Sequence, residues 1–291
     1  MLRIALKESG RFALGVFGAS LVAAAVSAVS VADTARGMGG FATAMAGRMV
    51  AFARLDFGTS AISGLSAAHE LAARGPTTLI IVLAGGLIAI IVGAPLGLLL
   101  GAGPLRRATA PLVQIVAAAP VFCAGLTLAY AAQHLRDWQA GAAIWPVALL
   151  HSDPAALGTV ILPGLTVGLA GAAAVQLALR RAAAEAQDEP FRSGLRRLGL
   201  PAWEIDRVYV APLVFARLVA CLGEVMLALL SAAVVAEWVF QCPGIADLFV
   251  KSVALHDWNI AALVVFVFAA AALLADFAGR LAAHAVASAP S

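Results

Sequence analysis

The stretch TTLIIVLAGGLIAIIVGAPLGLLL, residues 77–100, decides the fold, because it runs for 24 positions without one charged side chain. A helix rises about 1.5 Å per residue, so about 20 apolar residues cross the roughly 30 Å hydrocarbon core of a bilayer. Inside lipid the backbone N–H and C=O groups must pair within their own segment, which makes such a stretch helical. Residues 77–100 therefore read as a transmembrane helix.

Working outward, five further stretches have the same character: about 12–32, 110–132, 156–179, 211–236 and 259–283. The chain as a whole is 63% hydrophobic and 12% charged. Soluble domains sit nearer half apolar and a quarter charged, so a soluble enzyme or binding module is excluded. The formal charge of +3 is too small and too scattered for a nucleic-acid surface. Cys123, Cys221 and Cys242 form neither a metal spacing nor a disulfide framework, and the five histidines give no HExxH pattern. The expected fold class is an all-α membrane protein with six transmembrane helices.

Six spans put both termini on one side, and the basic residues choose the side. A cytoplasmic N-terminus gathers Arg3, Lys7, Arg11, Arg106, Arg107, Arg180, Arg181, Arg192, Arg196, Arg197, Arg207 and Arg280 inside. It leaves Arg36, Arg48, Arg54, Arg74, Arg136 and Lys251 outside. Twelve against six places both termini in the cytoplasm. A cleaved leader ending near Ser30–Ala32 is a competing reading of the first stretch, but an apolar run of this length suits a span better. The organisation expected is an N-terminal helix with an external segment over 1–76, a five-helix core over 77–283, and a short tail over 284–291.

The internal loop 180–210 reads RRAAAEAQDEPFRSGLRRLGLPAWEIDRVYV. A plain connector would not need Phe191, Leu195, Leu198, Leu200, Trp203 and Ile205. Two short amphipathic helices turning at Gly199, Leu200 and Pro201 would set these residues against the protein's own bundle, against headgroups or against a partner. Glu224 falls in the middle of the fifth expected span, one to two turns after Arg217. A carboxylate at membrane depth faces a cavity or a partner, so Glu224 is a candidate pathway residue or an interhelical bond. Gln114 and Gln176 are weaker examples, expected to bond neighbouring helices. Gly85, Gly86, Gly93 and Gly97 should allow close helix packing. No phosphate-binding GxxxxGK[ST] loop is present, so any ATP hydrolysis belongs to another chain.

Three motifs remain: LDFGTS at 55–60 with RGPTTLIIVLAGGLIAIIVGAPLGLLLG at 74–101, LPGLTVGLAGAAAVQLALR at 162–180 running into FRSGLRRLGLPAWEI at 191–205, and VVAEWVFQCPGIADLFVKSVALHDW at 234–258. Together they resemble the membrane components of bacterial binding-protein-dependent ABC importers, in the dipeptide/oligopeptide/nickel branch, and most resemble its dipeptide "B"-type permease. The resemblance covers about residues 50–280 and implies a type I ABC importer permease fold. It implies that Phe191, Leu195, Arg196, Leu198, Gly199, Leu200 and Trp203 form the coupling contact with an ATPase subunit. It further implies that Glu237, Phe240, Pro243, Gly244 and Asp257 shape an outer gate, with Asp56, Gly58 and Ser60 in an earlier external element. The residues before the coupling glycine, Leu195 to Leu198, depart from the family's small-residue pattern, and only Pro212 remains of its downstream H-LPN run.

The resemblance implies a non-catalytic permease in the bacterial inner membrane, with no cofactor of its own, forming half of a path for a peptide-like or other small solute. Its partners would be a second permease, two ATP-binding subunits that use ATP and Mg, and an extracytoplasmic substrate-binding protein. The alternatives are a stand-alone secondary transporter or channel using Glu224 for ion coupling, and a non-transporting scaffold or exporter component.

Overall fold

The computed structural model describes residues 2–32, 38–54, 56–101, 120–139, 158–187 and 190–287. Among the described residues the structure is helical, with one isolated β-bridge between Thr59 and Ser66. The helices are α1 (Leu2–Ala32), α2 (Met38–Ala53), α3 (Ala67–Gly101), α4 (Val121–Gln139), α5 (Gly158–Gln187), α6 (Pro190–Arg197) and the single turn α7 (Ala202–Glu204). A π-helical segment, Ile205–Val210, leads into α8 (Ala211–Ala220), followed by α9 (Leu222–Phe240), α10 (Ile245–Ala254) and α11 (Trp258–Ala287). Five helices, α1, α3, α5, α9 and α11, are long and apolar enough to cross a membrane, and Val121–Ala131 of α4 forms a shorter apolar helix. The chain is an all-α, multi-pass membrane protein.

Glycine contacts fix the helix directions. Gly85 of α3 lies against Val167 of α5, Gly93 against Ala172, and Gly97 against Leu179, so the two numberings climb together and the helices run parallel. Two parallel spans need a crossing between them, and the shorter apolar helix of α4, Val121–Ala131, lies in that connection. Helix α9 runs the other way: Glu224 approaches Arg181, Leu229 packs on Gly86 and Gly171, and the chain just beyond α9 reaches Thr78. Helix α11 reverses again, with Asp276 against Gly223 and Asp257 bonded to Ser60. Helix α1 is antiparallel to α11, through Phe12 on Phe277, Leu273 on Gly15, and Glu8 facing Arg280 at 3.9 Å. The start of α1 and the end of α11 therefore share one end of the bundle with the 190–210 loop. That is the loop end; Ser60, Glu237 and Asp257 mark the opposite, Asp257 end.

Lipid tails are as apolar as leucine, so helices in a bilayer associate by close packing rather than by escape from water. The main core accordingly combines glycine and alanine with Ile81, Val167, Val175, Leu179, Leu229 and Leu230, from α3, α5 and α9. Ile245, Leu248, Ile260 and Leu263 pack α10 onto α11 at the Asp257 end. Ala23, Ala24, Phe52 and Ala262 hold α1 and α2 on α11.

Three expectations need correction. The second span starts ten residues early, because α3 already begins at Ala67, so the boundary drawn between 76 and 77 falls inside a helix. The fifth stretch, 211–236, is two helices broken at Cys221 (φ −90°, ψ 8°), whose N–H turns back to Leu218. Hydropathy is continuous across that point and no proline marks it. The break coincides instead with tertiary contacts to α11, where the Val219 carbonyl closes on Gly279 and Asp276 sits on Gly223. Glu224 is consequently not mid-span but in the first turn of α9, and it shares no continuous helix face with Arg217. Residues 110–119 of the third stretch, with Gln114, and 156–157 of the fourth lie outside the described residues.

Candidate functional sites

The loop end is built from α6 outward. Helix α6 stops in a Schellman arrangement: Gly199 N–H donates to Arg196 O at 3.1 Å, and Leu200 N–H to Leu195 O at 3.3 Å. That closure needs a left-handed residue, and Gly199 supplies it at φ +86°. A Cβ there would meet nothing within 4 Å, so glycine is required by backbone conformation rather than by crowding. Pro201 then opens the next turn, and Pro212 lacks the N–H of a regular helical bond just where the π-helical segment passes into α8.

The apolar residues of the loop divide between two roles. Ile205 is fully buried and anchors the segment to the bundle. Leu195 and Leu200 are half-buried. Leu198, 77% exposed, and Trp203, 65% exposed, project away from the bundle on either side of the glycine turn, with Phe191 also exposed. Arg192 pairs with Asp206 at 2.7 Å and braces the two limbs of the turn against each other. Arg196 is exposed at the C-terminus of α6, where a cation complements the helix dipole. Above the loop, Arg217 reaches Glu185 at 3.5 Å, and Arg181 reaches Glu224 at 3.8 Å. Glu224 is exposed at the surface of the bundle.

The Asp257 end carries two buried carboxylate clusters. Glu237, fully buried in the last turn of α9, accepts the Asp247 N–H at 3.0 Å and lies on the Cα of Gly244. Its charge stands at the N-terminus of α10, where unpaired N–H groups and the helix dipole favour an anion. The Ile245 N–H at the same terminus donates to Thr78 Oγ1 at 2.7 Å. Asp247 itself pairs with Lys251 at 2.6 Å and with Arg74 at 3.7 Å, and Arg74 also meets Glu70 at 3.3 Å. Burial, reinforced by the Glu237 and Asp247 charges, pushes the neighbouring Cys242 thiol up to about 11, so it stays protonated and unreactive.

In the second cluster Asp257 Oδ2 accepts from Ser60 Oγ at 2.6 Å and from the Ala61 N–H at 3.0 Å. Its other oxygen accepts the Ile260 N–H at 3.4 Å in the first turn of α11. Asp56 Oδ1 accepts the Gly58 N–H at 3.0 Å and shapes the loop that delivers Ser60.

The structure thus joins stretches far apart in sequence. LDFGTS is tied to the Asp257 end of the 234–258 motif, and Arg74 and Thr78 are tied to its middle. Of the five residues expected at this end, Glu237 and Gly244 touch, Asp257 belongs to the Ser60 cluster, Phe240 is half-buried and Pro243 is exposed. Sequence reasoning missed Arg74, Thr78, Asp247 and Lys251 as members. Two local cues existed in the i,i+4 charge pairs Glu70–Arg74 and Asp247–Lys251. Gln176 is buried, and its Nε2 finds no hydrogen-bond partner among the described residues. No group of three metal-ligating side chains occurs among the described residues.

A helical bundle with five candidate membrane spans, a projecting glycine-turn loop at one end and a braced carboxylate lattice at the other defines a multi-pass membrane protein. Residues 89–288, more than half the chain, match the family of binding-protein-dependent transport system inner membrane components, and the chain belongs to that family. It is 30% identical over 250 residues to the probable D,D-dipeptide transport system permease protein DdpB of Escherichia coli (strain K12), covering 76% of this chain and 73% of that protein. The chain is an ABC importer permease and a non-catalytic membrane subunit.

Proposed function

We propose that this permease forms half of a translocation path in a bacterial inner membrane, with the loop end and both termini cytoplasmic. A second permease supplies the other half. Two ATPase subunits, which bind ATP and Mg, dock beneath. An extracytoplasmic binding protein delivers the solute at the Asp257 end, where Glu237, Phe240, Pro243, Gly244 and Asp257 shape the outer gate. The relative's name supports a peptide-like solute.

The observation that carries this reading is the exposure of Leu198 and Trp203 on a rigid turn. Apolar side chains held out from a bundle on a Schellman closure are a surface for another protein, and residues 191–205 are the ATPase contact. ATP acts through its different affinity for two states of the complex. Closure of the ATPases pushes the loop, and Ile205, Arg217–Glu185 and Arg181–Glu224 pass the displacement to α5, α8 and α9.

The test is co-purification from detergent-solubilised membranes, with mass identification of retained chains. A second permease and an ATP-hydrolysing subunit are expected to accompany the wild-type chain. Gly199→Glu should abolish ATPase retention, since its φ forbids an ordinary side chain and a charge would enter the contact. Retention of the ATPase and of ATP-driven uptake in that variant would refute the coupling assignment.

A further inference from the structure

The LDFGTS element holds a group of polar atoms that neither carboxylate cluster uses. Gly58 sits at φ +73° and carries no side chain over the turn. Apart from its chain neighbours, two atoms of the described residues lie within 4 Å of where a Cβ would stand: Arg48 Nη1 at 3.7 Å and Asn259 Nδ2 at 3.9 Å. Both are hydrogen-bond donors, one from α2 and one from the first turn of α11. An oxygen atom a little farther out from Gly58 would come within bonding reach of both. Asn259 Nδ2 donates one N–H to the Thr59 carbonyl at 3.2 Å, which orients the amide and leaves its second N–H for another acceptor.

The charges around this turn do not satisfy one another. Arg48 is half-buried and makes no ion pair among the described residues. Asp56 Oδ1 accepts the Gly58 N–H at 3.0 Å, yet this exposed carboxylate also has no ion-pair partner among the described residues. Asn259 Oδ1 is buried and unbonded among them. A polar atom withdrawn from water without a partner is costly, so the turn is built for a ligand that both accepts and donates.

Its place in the fold says what that ligand is. Helix α2 packs chiefly on α1, and α1 on α11, outside the core of α3, α5 and α9. Leu21 and Val22, beside Ala23 in the seam with α2, are exposed and apolar, as is Val50 of α2. Asn259 is the second residue of the span Trp258–Val286, which sets it level with the headgroups, and tryptophan is enriched at that level. We propose that Arg48, Asn259 and the bare Gly58 turn form a headgroup site for one ethanolamine phospholipid. The phosphate accepts from the Arg48 guanidinium and from the second N–H of Asn259, a charge-assisted pairing suited to arginine. The ammonium donates to the Asp56 carboxylate and to Asn259 Oδ1. A choline headgroup has no N–H to give them, and a glycerol headgroup brings no positive charge to Asp56. The site lies in the leaflet at the Asp257 end, whichever side of the membrane that end faces.

The test is native mass spectrometry of the purified full-length chain, delipidated in a non-ionic detergent. The probes are short-chain phosphatidylethanolamine, phosphatidylglycerol, phosphatidylcholine and inorganic phosphate. One phosphatidylethanolamine should bind at least about three-fold more tightly than the other lipids, the margin an exposed ion pair supplies. Arg48→Gln should weaken it at least about ten-fold by removing a charge-assisted bond. Arg54→Gln, exposed just past α2, should change it less than about two-fold. Asp56→Asn, which keeps the acceptor for Gly58, should erase the headgroup preference. Equal binding by wild type and Arg48→Gln would overturn the site. Inorganic phosphate binding as tightly as the lipid would overturn the lipid source, and an unchanged preference in Asp56→Asn would overturn the ethanolamine assignment. A second measurement needs no variant: phosphatidylethanolamine with a diazirine on the acyl chain beside its glycerol should, on illumination, attach to wild-type residues within 45–61 or 257–262. Attachment confined to other segments would overturn the site regardless of how any variant folds.

Discussion

At Gly244 the difference between two residue types is one methyl group, and the structure leaves no room for it. A Cβ there would overlap the Glu237 carboxylate, which is itself fixed by the Asp247 N–H and fully buried. Relief requires moving a buried charge off the N-terminus of α10, so overpacking and loss of a helix-end interaction act together. Gly244→Ala should cost about 2 kcal/mol and lower the thermal unfolding midpoint in detergent. Gly47→Ala, in α2 with nothing within 4 Å of the added atom, should leave the midpoint unchanged or raise it, since alanine is the better helix former by about 1 kcal/mol. Equal destabilisation by the two changes would mean that the carboxylate can move freely. At this scale the sequence was partly legible. The 234–258 motif marked Glu237 and Gly244 as belonging together, but the reason lies in a tertiary contact that no spacing rule encodes. The position of Glu224 in the first turn of α9, rather than in the middle of one long helix, was not legible because hydropathy does not register the turn at Cys221.

Among elements, the α3–α5 pair is the most tightly matched. A Cβ at Gly93 would stand 2.6 Å from the Ala172 carbonyl oxygen and 2.9 Å from its Cα, both backbone atoms that no rotamer change can move aside. Gly93→Val should therefore separate the helices and destabilise the protein by about 3 kcal/mol, the upper part of the range for overpacked interiors. Gly86→Val serves as the comparison, because its nearest neighbour is the flexible end of Leu229 at 3.6 Å. Thermal unfolding of both variants in detergent decides the matter, and a Gly86→Val loss as large as that of Gly93→Val would contradict the parallel register. Helices α1, α3, α5 and α11 were legible because each is one long apolar run. The closely spaced glycines of α3 also announced close packing, though not its partner. Splitting 211–236 into α8 and α9 was not legible, since a break imposed by α11 leaves no proline and no polar interruption behind.

For the whole molecule, the directions of α1, α3, α5, α9 and α11 divide the surface into two ends joined only through the bundle. Each end has an exposed apolar residue whose replacement should leave the fold of the chain undisturbed: Ile62 in the loop tied to Asp257, and Leu198 beside the Gly199 turn. The sequence supplied this division through its uneven arginines and lysines, while the ties between LDFGTS, Arg74 and the 234–258 motif became visible only in three dimensions. If the loop end is cytoplasmic, a membrane-impermeant maleimide added to intact spheroplasts should label Ile62→Cys and spare Leu198→Cys, in a background lacking Cys123, Cys221 and Cys242. Inverted vesicles carrying the chain expressed without its ATPase should reverse the pattern. Labelling of both positions from one side would contradict the antiparallel arrangement itself. A clean pattern of opposite sense would preserve the fold and invert its orientation, moving the ATPase contact to a face that no cytoplasmic nucleotide could reach. The coupling role of residues 191–205 therefore depends on which of these two outcomes is obtained.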